Sequence, residues 1–291
     1  MNRISTKKTF SADHESVENL LADLEPPGIE SGDSVLVKPN ICYYRNTNSM
    51  ILSDFHLIES TIRILKKTTK DIIVVESDNK AGTADERAAR SGLLDLLKPA
   101  GVEFKNLSSE EKVDRFGYAG GSFSVPKIVT DADHLVNICK MKTCVGPTVS
   151  LSLKNTFGLV AEKSKPKMHK YLDEILLKIN QAIKNQLILV DGIVGMEGNG
   201  PLLGDPVNLG ILVAGLSPGT VDSVCSRMMG FDPIDISHIR LACEKGLGQI
   251  DTADMKILGE PLKTMHKFRP PSFSPVSVLR TVRSAARVYS P

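Results

Sequence analysis

The chain has 291 residues, 41% of them hydrophobic and 24% charged, the balance of a globular protein with material for one large or two modest α/β domains. No apolar run approaches the roughly 20 residues that span a bilayer, and the basic N-terminus has no apolar segment behind it, so neither a transmembrane helix nor a signal peptide is expected. The five cysteines are odd in number and widely spaced, which argues against a disulfide framework and points to a reducing cytoplasm; with no tryptophan and 5% aromatics, nucleic-acid binding by base stacking is not expected.

In chain order, residues 1–30 predict an N-terminal strand or arm and a helix over 17–24, ended by Pro26-Pro27-Gly28. A unit of strand 35–38, loop 41–53, helix 56–67 and strand 72–76 follows, then a helix over 85–97 and a short strand at 102–104. An edge strand is predicted at 122–125 and a buried strand at 134–139. The segment 148–158 carries both periodicities. Val149, Leu151 and Leu153 alternate as in a strand, whereas Val149, Leu153 and Phe157 are spaced as in a helix; the preceding Gly146-Pro147 favours the helix.

A lysine-rich loop at 162–167 leads to a helix over 171–184 with the stripe Leu172, Ile175, Leu176, Ile179 and Ile183. Strand 187–191, a glycine-bearing loop over 192–208 and strand 210–214 come next. Helices over 220–229 and 236–245 and a strand at 255–258 complete the body, residues 31–260. Strands alternating with helices imply an α/β fold: a mainly parallel sheet flanked by helices on both faces.

The remaining segment, 261–291, is basic. It holds Lys263, Lys267, Arg269, Arg280, Arg283 and Arg287 and no acid, which leaves the rest of the chain at about −4. After Pro270-Pro271 and Pro275, the residues Val276, Leu279, Val282, Ala286 and Tyr289 recur at helical spacing with arginines on the other side. Such a helix either packs on its own domain or lies on a membrane surface or a partner protein.

The chemistry gathers at strand ends, where ligands bind in open α/β sheets. Strand 35–38 ends in Lys38-Pro39-Asn40, and strand 134–139 runs into Lys140 and Lys142, with Lys154-Asn155 soon after. Convergent ammonium groups repel one another and favour an anionic ligand, a phosphate or a polycarboxylate, which Asn40 and Asn155 would orient. One such lysine, Lys154 first, is also a candidate base or nucleophile. Asp78, Asp191, Glu197 and Asp222 follow or adjoin strands. Asp191 and Asp222 are candidate Mg²⁺ ligands and Asp191 and Glu197 candidate proton carriers; the competing reading is that the carboxylates pair with the lysines in an ion-pair network. Gly198 and Gly200 in the loop 195–201 allow close backbone approach to a ligand. His169 is a candidate proton carrier. Cys42, Cys139 and Cys144 all follow strand ends and form the alternative, a redox or metal site that includes an iron–sulfur cluster among its options.

Taken together, VLVKPN at 35–40, ICKMKT at 138–143, SLKNTFG at 152–158, His169, VDGIVGMEGNGP at 190–201, Gly204 with Pro206, Val221-Asp222 and the Gly-Leu-Gly at 246–248 resemble the DUF362 family over roughly residues 31–260. The resemblance implies no defined activity. Some relatives carry a ferredoxin-like region with two iron–sulfur clusters, and this chain has no such cysteine run. Relatives commonly read Lys-x-Lys-Thr-His where this chain has Lys140-Met141-Lys142-Thr143-Cys144, so a histidine role in relatives is lost here or passes to the thiol.

Overall fold

The structure, a computed structural model, describes residues 2–24, 28–162 and 165–289. In chain order the strands are β1 (Asn2–Lys8), β2 (Val35–Pro39), β3 (Ile72–Glu76), β4 (Glu103–Asn106), β5 (Val113–Tyr118), β6 (Gly121–Pro126), β7 (His134–Cys144), β8 (Thr148–Ser150), β9 (Gln186–Asn199), β10 (Leu203–Gly215) and β11 (Met255–Gly259). The helices are α1 (His14–Ala22), α2 (Phe55–Leu65), α3 (Ala84–Ser91), α4 (Leu93–Ala100), α5 (Lys127–Asp131), α6 (Ser152–Asn155), α7 (Leu172–Ala182), α8 (Pro218–Met228), α9 (Ser237–Glu244) and α10 (Pro275–Tyr289).

A nine-stranded sheet runs in the order β11-β1-β10-β9-β7-β2-β3-β4, with β8 folded back on β7; β5 and β6 form a separate hairpin. All pairings between β9 and β4 along this path are parallel, and β10 runs against both β9 and β1. Side chains alternate across the sheet. Val35, Val37, Val136, Ile138, Leu187 and Leu189 meet α1 to α4 on one face. On the other face Ile188, Val190, Ile211 and Val213 meet α8 and α9, while Leu36 and Leu135 meet α5, α7 and the hairpin. The expected mainly parallel sheet with helices on both faces is therefore present.

Several boundaries differ from expectation, for physical reasons. The helix foreseen over 85–97 is two helices, because Gly92 turns left-handed at φ 86° between α3 and α4. The loop foreseen over 192–208 is mostly strand: β9 continues to Asn199 and β10 starts at Leu203. Its polar residues read as turn signals, yet Glu197 is held by Arg269 of the C-terminal segment and Asp191, just before it, by Lys140 of β7. The segment 148–158 is neither one helix nor one strand. It is β8, then α6, then a 3-10 turn at Thr156–Leu159. The two prolines expected to end the first helix, Pro26 and Pro27, lie outside the described residues.

Candidate functional site

From β2 the chain moves outward to β3 and β4, then returns to the opposite side of β2 as β7 and continues to β9. The sheet therefore reverses its winding between β2 and β7, and the crevice beyond the strand ends at such a point is where open α/β sheets hold ligands. A cleft of about 370 Å³ lies there. It is walled by residues just past β2 (Asn40, Cys42), just past β3 (Ser77, Asn79, Lys80), from Cys144 to Gly158, from Lys165 to His169, and by Pro201 and Leu202 at the tip of the β9–β10 hairpin.

Among the described residues the cleft presents four lysines, Lys38, Lys80, Lys154 and Lys165, against one carboxylate, Glu76. Lys38 is spoken for. Its ammonium donates to Glu76 Oε2 at 3.0 Å, to the Pro39 carbonyl at 3.0 Å and to Asn155 Oδ1 at 3.3 Å, which uses all three of its protons. Glu76 Oε1 accepts from the Ser77 amide at 3.0 Å. Gly158 lets this pair approach the backbone, since a Cβ there would stand 2.5 Å from Lys38 Cε.

Lys154 differs. Its Nζ lies 4.5 Å from the centre of the Phe157 ring, and no carboxylate or hydrogen-bond acceptor among the described residues takes it. Burial lowers its pKa, with the Lys38 and Lys142 charges acting in the same direction. Lys165 donates to Ser77 Oγ at 2.6 Å, and burial brings its ammonium down to about 7. His169 sits exposed at the rim, edge-on to Phe157. Its Nδ1 is 3.0 Å from the Lys165 carbonyl. A carbonyl only accepts, so Nδ1 carries the proton and Nε2 is left as the basic nitrogen. Partial burial, then the Lys154 charge, lower its pKa. Asn155 ties the floor together by donating to Asn137 Oδ1 at 2.8 Å and to the Lys38 carbonyl at 3.2 Å. Asn40 lines the cleft while its amide group holds the Ile51 carbonyl at 2.7 Å.

Local sequence explains the placement of Lys154. Asp222, on α8, accepts from the Ser152 amide at 2.9 Å and the Leu153 amide at 3.0 Å, and from the Ser152 hydroxyl at 2.5 Å. This long-range cap starts α6 at Ser152, two residues before Lys154, satisfying amides that a short helix leaves open.

Seven of the expected site residues are brought to the cleft: Lys38, Asn40, Lys154, Asn155, His169 and, from the alternative set, Cys42 and Cys144. The others are not. Lys140 is adjacent to Asp191 in the β7–β9 register and pairs with it at 2.8 Å; both are almost wholly buried. Asp191 also accepts from the amides of Asp54 and Ile193. Lys142 is buried behind the cleft, donating to the Ile51 carbonyl at 2.8 Å, with Cys42 Sγ at 3.6 Å. Asp78 accepts from the Ala84 amide and from Asn106.

Glu197 faces the C-terminal segment, where it accepts from the Arg269 guanidinium at 2.6 Å and the Arg269 amide at 2.9 Å, and lies 3.2 Å from His266. Gly198 and Gly200 belong to the end of β9 and its turn, and a Cβ on Gly200 would strike the Thr143 carbonyl, so close strand packing accounts for that glycine. Asp191 and Asp222, the expected magnesium pair, do not line the cleft. Both carboxylates are fully buried and occupied by donors within the fold, and among the described residues no three His, Cys, Asp or Glu side chains converge as a metal site. Of the three thiols of the alternative set, Cys139 lies in the core under α8, away from the cleft walls. Lys165 and Glu76 were not singled out in the sequence. Their signals are the lysine-rich loop and the acid that ends the apolar run of strand 72–76.

Comparison with known proteins gives a relative and a family. The chain is 28% identical over 245 residues to the thylakoid-associated protein sll1697 of Synechocystis sp., a match covering 79% of this chain and 74% of that one. Among solved structures it resembles a Thermotoga maritima protein (14% identity, TM-score 0.40, 80% of this chain) and the lactate racemase apoprotein of Thermoanaerobacterium thermosaccharolyticum (13% identity, TM-score 0.40, 84% of this chain). The chain spans 57% of the length of each of these two. The family model of a domain of unknown function, DUF362, matches residues 35–227, which takes in β2, β3, β7, α6 and most of α8, and the chain belongs to that family.

Proposed function

We propose that the cleft binds a small anionic molecule, phosphorylated or polycarboxylate, and that Lys165 and His169 serve proton transfer on it. The observation that carries this reading is Lys154, an ammonium turned into the cleft with no counter-charge among the described residues. A charge drawn out of water without a partner is unfavourable, and an anion seated beside it would offset that cost. Lys165 adds a second group that is near half-protonated at neutral pH. Lys38, already neutralised by Glu76, acts as a post that fixes Asn155 and the floor. Any magnesium in this reading arrives with the ligand, because Glu76, the one cleft carboxylate among the described residues, is already held by Lys38 and the Ser77 amide.

The thiol alternative is less well supported. Cys42 and Cys144 face the cleft, but burial raises the Cys144 thiol pKa and disfavours the thiolate that redox or metal chemistry needs. A reducing, cytoplasmic setting agrees with five unpaired cysteines; no helix among the described residues is long and apolar enough to cross a membrane.

The test is a thermal-shift series with inorganic phosphate, pyrophosphate and citrate against chloride at equal ionic strength. The reading requires a rise in melting temperature with at least one of the three and its loss in Lys154→Met. Equal melting with every salt would defeat it, as would the same rise in the variant.

A further inference from the structure

The last helix turns its apolar face outward. The residues of α10 that meet the body are mostly hydroxylic. Ser284 is buried and donates to the Gly204 carbonyl at 2.7 Å, Thr281 Oγ1 accepts from Asn199 at 2.9 Å, and Val288 alone is a buried hydrophobe of the helix. At about 100° per residue the opposite arc carries Val278, Leu279, Val282, Ala286 and Tyr289. Their exposure is 46% for Val278, 53% for Leu279, 61% for Val282 and 56% for Tyr289. The apolar stripe that a surface helix normally buries is thus largely exposed here, with Val278 on it in place of the Val276 expected from the sequence.

A contiguous exposed apolar patch marks a docking surface. The charge beside it selects the occupant. Arg280, Arg283 and Arg287 are exposed next to the apolar arc, around a recess that also holds Asp205 of β10. Arg287 is joined to Asp205, which also takes Arg269; Arg280 and Arg283 have no carboxylate within ion-pair distance among the described residues. Lys263 and Lys267 are exposed, and no acid occurs from residue 261 onward. An apolar arc flanked by arginines on one helix is the arrangement of a helix lying in the headgroup plane of a bilayer, with cations at lipid phosphates and apolar side chains at the acyl boundary. A two-fold contact between copies through the same face would bring the arginine flanks of both chains together, which is unfavourable.

We propose that α10 docks this protein onto an anionic lipid surface, with Leu279 and Val282 entering the bilayer interface and Arg280 and Arg283 meeting lipid phosphates; the Tyr289 ring stays edge-on to Tyr43 of the body, centres 6.1 Å apart. The inference does not depend on the cleft. The experiment is co-sedimentation of the full chain with vesicles of phosphatidylcholine alone and of phosphatidylcholine mixed with phosphatidylglycerol. The expected result is pelleting with the anionic vesicles only, weakened by salt. Leu279→Asp/Val282→Asp and Arg280→Glu/Arg283→Glu should each lower the bound fraction at least roughly tenfold, consistent with about a decade of affinity for each 1.4 kcal/mol removed. These side chains are exposed, so circular dichroism and melting of the variants should match the parent. Absence of pelleting with anionic vesicles would overturn the proposal. So would equal pelleting of the variants, or a parent that is dimeric by sedimentation and becomes monomeric in Leu279→Asp/Val282→Asp.

Discussion

Replacing Lys154 by methionine separates a binding lysine from a structural one. Methionine keeps most of the stem that lies against Phe157 and removes the ammonium. Because Nζ has no acceptor among the described residues, its loss leaves no buried carboxylate or carbonyl unpaired. Stability should therefore hold or rise slightly, since desolvation already disfavours the charged form. Affinity should fall. A unit charge pair at about 4 Å and an effective dielectric near 20 has a gross attraction of roughly 4 kcal/mol. A hydrogen bond to a charged group contributes about 1.5–3 kcal/mol net. The lower figure is the relevant one, and it corresponds to a roughly 10- to 150-fold weaker dissociation constant. Isothermal titration with whichever of phosphate, pyrophosphate or citrate shifts the parent gives the affinity, and a melting curve gives the stability. An affinity within about twofold of the parent, or a large fall in melting temperature, would show that Lys154 is not the ligand's counter-charge.

The same logic predicts the opposite for the buried pair under the cleft. Lys140→Met strands Asp191 in the sheet and should cost about 3–5 kcal/mol in urea denaturation, while the folded fraction keeps its anion affinity. Anion affinity should decline as pH rises through about 7, where Lys165 loses its proton, and Lys165→Met should flatten that profile in titrations at several pH values. The C-terminal segment should loosen in acid. Burial raises the Glu197 and Asp205 pKa values, but Arg269, with Arg287 on Asp205, outweighs it and sets both below their ordinary values of 4.5 and 3.8. A depressed folded pKa contributes stability that is present above the ordinary value and lost as pH falls through the folded one. Pepsin cleavage after residue 260 should accelerate over that acid window, and Arg269→Ala should remove most of the dependence.

The parallel sheet was legible because its strands are unbroken apolar runs, as at 72–75 and 187–190, separated by periodic helices such as α7. The cleft was legible where a strand end is also a wall, as with Lys38-Pro39-Asn40. Reading failed where a polar residue finds its partner far along the chain. Asp191 and Lys140 signal strand ends locally, yet each neutralises the other across two neighbouring parallel strands, so both strands run on. Asp222 reads locally as a candidate metal ligand but caps a helix 70 residues earlier. No local pattern reveals such pairs, because the favourable contact exists only after the sheet has assembled. The lysines showed the same ambiguity. Strand-end position alone did not tell Lys154, which faces the cleft, from Lys140, which is bolted to a neighbour.

The position of β1 bears on how the chain assembles. This first strand is an interior strand, with Ile4 opposite Gly215 on one side and Ile257 on the other. Neither neighbour exists until more than two hundred further residues have been made. At about 5–20 residues per second, a ribosome needs roughly 13 to 50 s to supply the last partner. During that interval a β-prone segment stays without its mates, a state open to mispairing and aggregation. Sealing the sheet is thus a late event in biogenesis, and nascent β1 is a stretch for a chaperone to shield.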